Sequence, residues 1–421
     1  MKKTLLTIGL LIAACSSLLA QFTLSGMLRP RAEYRNGYSH MPINGTSAAF
    51  FVSNRVRLTA DYKSDNMQFR MTAQEIRVWG NQVLKSDNAT LGLYEAWGKI
   101  SVAGGLSLKI GRQELSYDNQ RLLSHNNFRQ SGQSHDALIF LYQKNGWDLH
   151  LAGAYNQQKE NTFNTWYNVN DPKVRGNYKT LNFIYARKKF GALDFNLLAI
   201  ADGLPQNDTT NKTFKRYTFG PSLSYAIGLL TLKGRTYYQT GKIKTGKDVT
   251  AWYINLEAFI KASSKITINP GLDVLSGNDL SKTDGMSRAF STLYGAGHAP
   301  NGHIDYFTNV EEQTKGAGLN DLYLKAGVKL SDKTDFYADY HYFLLQNDYK
   351  VAGKEINKYL GSELDLGFSI KFAKDINLQL GYSFMLANES MKYFKEGNPD
   401  KYADWGWVML TINPTFLVSG K

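Results

Sequence analysis

Arginines recur at every second position near the start of this 421-residue chain. Arg29, Arg31 and Arg35 alternate around Glu33, and Arg55 and Arg57 precede Asp61. Arg70, Lys109, Lys233 and Arg235 stand in similar alternating contexts further on. Successive side chains on a β-strand point to opposite faces, so each series shares one face. A guanidinium presents a planar fork that matches a carboxylate with two bonds, which an ammonium does not. Rings of such cations around a narrow wet passage favour anions. The same residues can instead brace a wall by pairing with acids on that register: Glu95, Asp148, Asp273, Asp335, Asp339, Glu363 and Asp365. Bases gather in the early strands and acids in the later ones, so a closed sheet would have a basic and an acidic side. Selection and bracing are both open on this pattern.

The elements that would position these charges have a period of two nearly throughout. Leu364, Leu366, Phe368, Ile370 and Phe372 alternate with Glu363, Asp365, Gly367, Ser369 and Lys371, and Ile376 to Phe384 repeats the pattern. Eighteen such segments are expected after residue 20, many longer than the roughly 9–11 residues of a tilted membrane-crossing strand. The connectors alternate as well. Long ones fall at 36–48, 80–88, 115–133, 159–176, 203–212, 242–247, 278–317, 347–358 and 389–401. Short ones such as Lys63–Asp65 and Ala373-Lys374 fall between them. This rhythm predicts an all-β fold: a single 18-stranded antiparallel transmembrane β-barrel with short periplasmic turns and long extracellular loops. Charges facing lipid at mid-membrane cost about 2–4 kcal/mol for Arg or Lys, so the charged register should face water. A propeller would show a blade repeat, and none is present.

Composition agrees. Tyr 26, Phe 22 and Trp 7 accompany a hydrophobic content of only 43%, and beyond the N-terminus no apolar run approaches the roughly 18 residues of a membrane helix. Aromatics near strand ends (Tyr62, Trp79, Tyr155, Tyr225, Tyr237-Tyr238, Trp252-Tyr253, Tyr340, Tyr342, Trp405, Trp407) are expected in interfacial girdles. Residues 1–20 read as a secretory signal, with Lys2 and Lys3 before an apolar stretch and cleavage expected after Ala20. The alternative is a lipobox ending at Cys15, the single cysteine. Loss of the leader removes that cysteine, and with it disulfides, thiolate metal sites and cysteine nucleophiles. The barrel then occupies residues 21–421. The net charge of +13 suits anionic headgroups or acidic polymers.

One connector is chemically dense. Gly111-Arg112-Gln113-Glu114-Leu115-Ser116-Tyr117-Asp118-Asn119-Gln120-Arg121-Leu122 leaves the fifth strand, and Arg129 follows. Folded inward, it would constrict the pore. This stretch resembles the signature of the alginate export family of outer-membrane β-barrel porins, as do Leu28 to Arg35 and Glu363-Leu364-Asp365-Leu366. Asp118 stands where a glycine is commoner in that family. The resemblance implies a monomeric barrel in the bacterial outer membrane whose arginine-lined lumen passes an anionic polysaccharide. It also implies that Arg112, Arg121 and Arg129 are pore or constriction residues. The expected lumen set is therefore Arg29, Arg31, Arg55, Arg57, Arg70, Lys109, Arg112, Arg121, Arg129, Lys233 and Arg235.

Catalysis is not expected: Gly-x-Ser-x-Gly and His-Glu-x-x-His are both missing. His298 and His303 share the longest loop with Asp279, Asp284 and Asp305, but such a loop reads as solvated turn chemistry rather than a metal site. No cofactor is implied. Expected partners are outer-membrane lipid and lipopolysaccharide, small anions or an anionic oligo- or polysaccharide, and a periplasmic secretion component, with no nucleic acid. The alternatives to an anion channel are a general small-solute porin with structural ion pairs, and an adhesin whose loops (Phe163, Trp166, Tyr167) grip sugars.

Overall fold

The computed structural model describes residues 20–85, 90–165, 177–207, 210 and 212–420. The expected leader falls outside these except for Ala20, as do Trp166 and Tyr167. The barrel runs β1 (Gln21–Asn36), β2 (Ala49–Lys63), β3 (Met67–Val78), β4 (Gly92–Ser101), β5 (Leu106–Gln113), β6 (His135–Lys144) and β7 (Trp147–Tyr155). It continues through β8 (Thr180–Phe190), β9 (Leu193–Pro205), β10 (Thr213–Ile227), β11 (Leu230–Lys242), β12 (Asp248–Lys261) and β13 (Ile266–Leu275). After a long loop come β14 (Leu319–Lys329) and β15 (Thr334–Leu345), and then a small hairpin of β16 (Lys350–Val351) and β17 (Lys354–Glu355). β18 (Tyr359–Ala373), β19 (Ile376–Ala387), β20 (Ala403–Ile412) and the short β21 (Thr415–Ser419) complete it. The result is a closed 18-stranded antiparallel barrel with one extra strand.

Closure is made by β1, which pairs with β2 along one edge and with β20 and β21 along the other. A closed sheet leaves no unpaired edge in lipid, which is why strands can cross a membrane only in this form. Leu58, Met71, Phe140, Leu256 and Phe368 point outward and are exposed, as the lipid-facing register requires. The short turns use left-handed residues where the chain must reverse at once: Asn145 and Gly146, between β6 and β7, have φ of 54° and 77°.

The aromatic doublets divide where the girdle expectation kept them together. Tyr238 and Trp252 face outward, but Tyr237 and Tyr253 are fully buried in the lumen, as are Trp405 and, nearly so, Trp407. Alternation sends one member of each neighbouring pair inward. There they meet loop residues: Phe290, Ile304, Tyr306 and Phe307 of the 276–318 loop are buried with Phe343, Leu345, Met385 and Trp405. This apolar core fills the loop end of the lumen, and the cavities lie towards the short-turn end.

Candidate functional site

Two connectors fold into the barrel. The first, 114–134, is gripped by β1 and β2. Arg29 donates to the Asn127 carbonyl at 2.8 Å, to those of Phe128 and Arg129 at 3.2 Å, and to Gln130 Oε1 at 2.9 Å. Arg31 donates to the Phe128 carbonyl at 2.7 Å and to Glu33 at 2.8 Å. Arg55 donates to Asn127 Oδ1 at 2.9 Å and is 0% exposed. Five donors on one planar head allow a single arginine to hold several carbonyls in fixed geometry. Arg29 and Arg55 are direct cross-strand neighbours. Like charges in that position repel, so the loop carbonyls between them are part of what makes the pairing tolerable.

The same loop crosses the lumen and is anchored on the other side by Asp118. Its carboxylate accepts from Arg235 Nε at 3.2 Å, Ser222 at 3.0 Å and Tyr237 at 2.9 Å. Asp118 has a φ of 50°, a left-handed conformation that aspartate tolerates better than most residues. Sequence reasoning marked this position only as a departure from the family pattern. The chain there gave no sign of a partner on β10 and β11, more than a hundred residues away.

The second connector, 276–318, docks on the acidic wall. The Ile304 amide donates to Glu363 Oε1 at 2.8 Å, and the His303 amide donates to Asp365 Oδ2 at 3.3 Å. Asn301 Nδ2 donates to Asp321 at 3.0 Å, and its Oδ1 accepts from Arg121 at 2.9 Å. Arg121 also closes on Asp273. Burial pushes the His303 imidazole down to about 4, against an opposing pull from Asp365. The two loops join inside the barrel: Ser124 and Tyr294 exchange backbone bonds with the facing loop, and Phe128 stacks on His298 at 3.7 Å. His298 holds Asp305, while Asp279 and Asp284 serve local contacts with Ser281 and Arg288.

The expected lumen residues separate into groups. Arg31, Arg70, Arg121, Lys233 and Arg235 face inward and are paired, with Glu33, Asp61, Asp273, Glu257, and both Asp118 and Glu257. Arg29, Arg55, Arg57, Lys109 and Arg129 have no ion pair among the described residues. Arg57 donates to Gln74 at 2.7 Å and lies 3.6 Å from the Tyr94 ring centre. Lys109 sits 4.0 Å from that of Trp97, and Arg129 reaches the Gly297 carbonyl at 3.2 Å.

Arg112 corrects the expectation. It pairs with Asp136 at 3.1 Å on the outer face, both side chains being well exposed. Lys109 and Arg112 are three positions apart, an odd spacing that a strand cannot place on one face. Gln113, the inward neighbour, is fully buried.

Two cavities lie beneath the joined loops, separated by a ridge of Asn127, Phe128, His298 and Ala299 that lines both. One, of about 480 Å³, is lined by Arg29, Arg55, Tyr337, Gln379 and Trp407 and, among the described residues, by no aspartate or glutamate. The other, of about 430 Å³, contains Arg121, Arg235 and Lys325 but also Glu257 and Asp273. Volumes of this order hold small-molecule ligands.

Comparison with known proteins agrees with the fold. The family model for alginate export matches residues 21–392. No curated protein matches the chain. Among solved structures, Pseudomonas aeruginosa OccK9 (OpdG) superposes with a TM-score of 0.64 at 12% identity, covering 94% of this chain and 98% of its own. Acinetobacter baumannii OccAB1 gives 0.62 at 12%, covering 96% and 99%. Pseudomonas aeruginosa OpdK solved with vanillate gives 0.61 at 11%, covering 94% and 99%.

Proposed function

The chain belongs to the alginate export family, and on that premise we propose that this outer-membrane channel prefers small anionic solutes, acidic sugars among them, and passes them along the basic side of its lumen. The observation that carries the reading is the 480 Å³ cavity, where Arg29 and Arg55 have neither an ion pair nor a lining carboxylate among the described residues. Their guanidinium heads are held by carbonyls and amides, which bind without cancelling charge. Tyr337, Phe128 and Trp407 add flat apolar walls beside them, a surface suited to the C–H face of a ring. The OpdK structure contains vanillate, an aromatic carboxylate, which supports the same chemistry in a barrel of this fold.

Cavity size favours a single saccharide unit or a small acid over a threaded polymer while both loops stay docked. An alginate-like polysaccharide would pass only with the loops displaced. The test is the reversal potential of the purified channel in a planar bilayer under a salt gradient, with mono- and oligouronates added to each side. Anion selectivity and brief block by monouronate are expected. In a channel carrying Arg29→Lys and Arg55→Lys, selectivity should persist because charge is kept. Conductance should rise in that variant, because lysine cannot hold several carbonyls at once. Cation selectivity, or none, in the unmodified channel would sink the proposal.

A further inference from the structure

The second cavity is chemically unlike the first. Its charged lining is already matched internally: Arg121 with Asp273, Arg235 with Glu257 at 2.9 Å, and Lys325 with Asp339 at 3.6 Å. An entering anion meets two carboxylates, and an entering cation meets three engaged cations. Either would have to break charge-assisted bonds to find a partner. The groups that remain available are neutral. Asn119 and Asn127 line the cavity and are exposed, and the side-chain amide nitrogens of Asn119, Gln120 and Asn127 donate to nothing among the described residues. His125 also lines the cavity, while its Nδ1 is buried away from it without a hydrogen-bond partner. Phe128, Pro300 and Tyr323 supply apolar wall between these polar atoms.

We propose that this 430 Å³ cavity is a binding site for neutral polyhydroxylated solutes of mono- to disaccharide size, separate from the anion-preferring cavity across the Phe128–His298 ridge. A hydroxyl both donates and accepts, so it can bond to free amides and to the spare lone pairs of paired carboxylates without disturbing the ion pairs. Backbone and side-chain groups of the 114–134 loop supply one half of the site, and β13 and β14, through Asn269 and Tyr323, supply the other. The channel thus offers two subsites of different selectivity on either side of one partition.

The experiment uses full-length channel reconstituted in liposomes, with swelling rates measured in isosmotic glucose, maltose and glucuronate. The double variant Asn119→Leu and Asn269→Leu removes polar lining from this cavity only, and heat-modifiable gel mobility reports that the barrel has formed. Swelling in glucose and maltose should fall about fivefold or more, the effect of losing an ordinary hydrogen bond or two. Swelling in glucuronate and the reversal potential under a salt gradient should stay unchanged. Unaltered neutral-sugar swelling in the double variant would overturn the proposal, as would an equal loss for glucose and glucuronate, or no neutral-sugar uptake by the unmodified channel. The anion reading stands or falls separately, on the reversal potential.

Discussion

On β1 and β2, Arg29 stands directly across from Arg55; on β13 and β14, Asp273 stands across from Asp321, and on β15 and β18, Asp339 stands across from Asp365. Each wall therefore sets like charges face to face, an arrangement that costs stability when nothing lies between. Each is relieved by a loop. The basic wall takes carbonyl oxygens from 127–130, and the acidic wall takes backbone amides and the Asn301 amide from 301–304. The difference lies in what is left over. The acidic wall also receives real countercharge from Arg121 and Lys325, whereas Arg29 and Arg55 receive only dipoles among the described residues. Dipoles orient a cation without neutralising it, so the basic side keeps its field and the acidic side becomes scaffold.

That contrast can be broken experimentally, most severely at the acidic wall. Asn301→Leu removes one donor to Asp321, which keeps its bonds with His341, and removes the acceptor of Arg121 Nη1, a buried donor whose loss of partner costs about 1–3 kcal/mol. The expected outcome is faster hydrogen exchange across 296–306 and a lower melting temperature in detergent, with anion selectivity retained. An intermediate effect should follow from pH. The folded pKa of His303, about 4, lies below its ordinary value of 6.5. The docked loop therefore holds the neutral imidazole, whose contribution is complete above about pH 6.5 and is lost as pH falls towards 4. His298, Lys325 and His341 also oppose its protonation, and Asp365 favours it. Protease nicking of this loop should rise between pH 7 and pH 4.5, while 114–134, gripped by Arg29, Arg31 and Arg55, should not change over that range.

The smallest effect is expected at Arg112. Its pair with Asp136 is solvent- or headgroup-exposed, and such pairs contribute about 0.2–1 kcal/mol. Arg112→Ala should leave conductance and reversal potential as they were. A change in selectivity there would mean that the outer-face placement is wrong.

Most of the barrel was legible in the chain. The alternation of Leu364 to Phe372 and the long-short rhythm of connectors follow from two local facts, that strands expose alternate faces and that lipid accepts only one of them. The same parity places Arg29, Arg55, Lys109 and Arg235 inward with no further information, and it excludes Arg112 once Lys109 is placed. The resemblance to a family carried Arg112 into the pore against that rule. Parity also divides the Tyr237-Tyr238 and Trp252-Tyr253 doublets, which their places near strand ends had assigned together to the girdles.

Sequence could not pair residues across the lumen. Asp118 with Arg235, Arg29 with the Asn127 carbonyl, and Asn301 with Asp321 join positions whose separation along the chain has no periodic signal. They are set by how two irregular loops fold into a cylinder of fixed width. Strand periodicity is a local steric property and is written in the residues themselves. Which charges are cancelled, and which keep a field, depends on where those loops come to rest, and only the folded chain decides that.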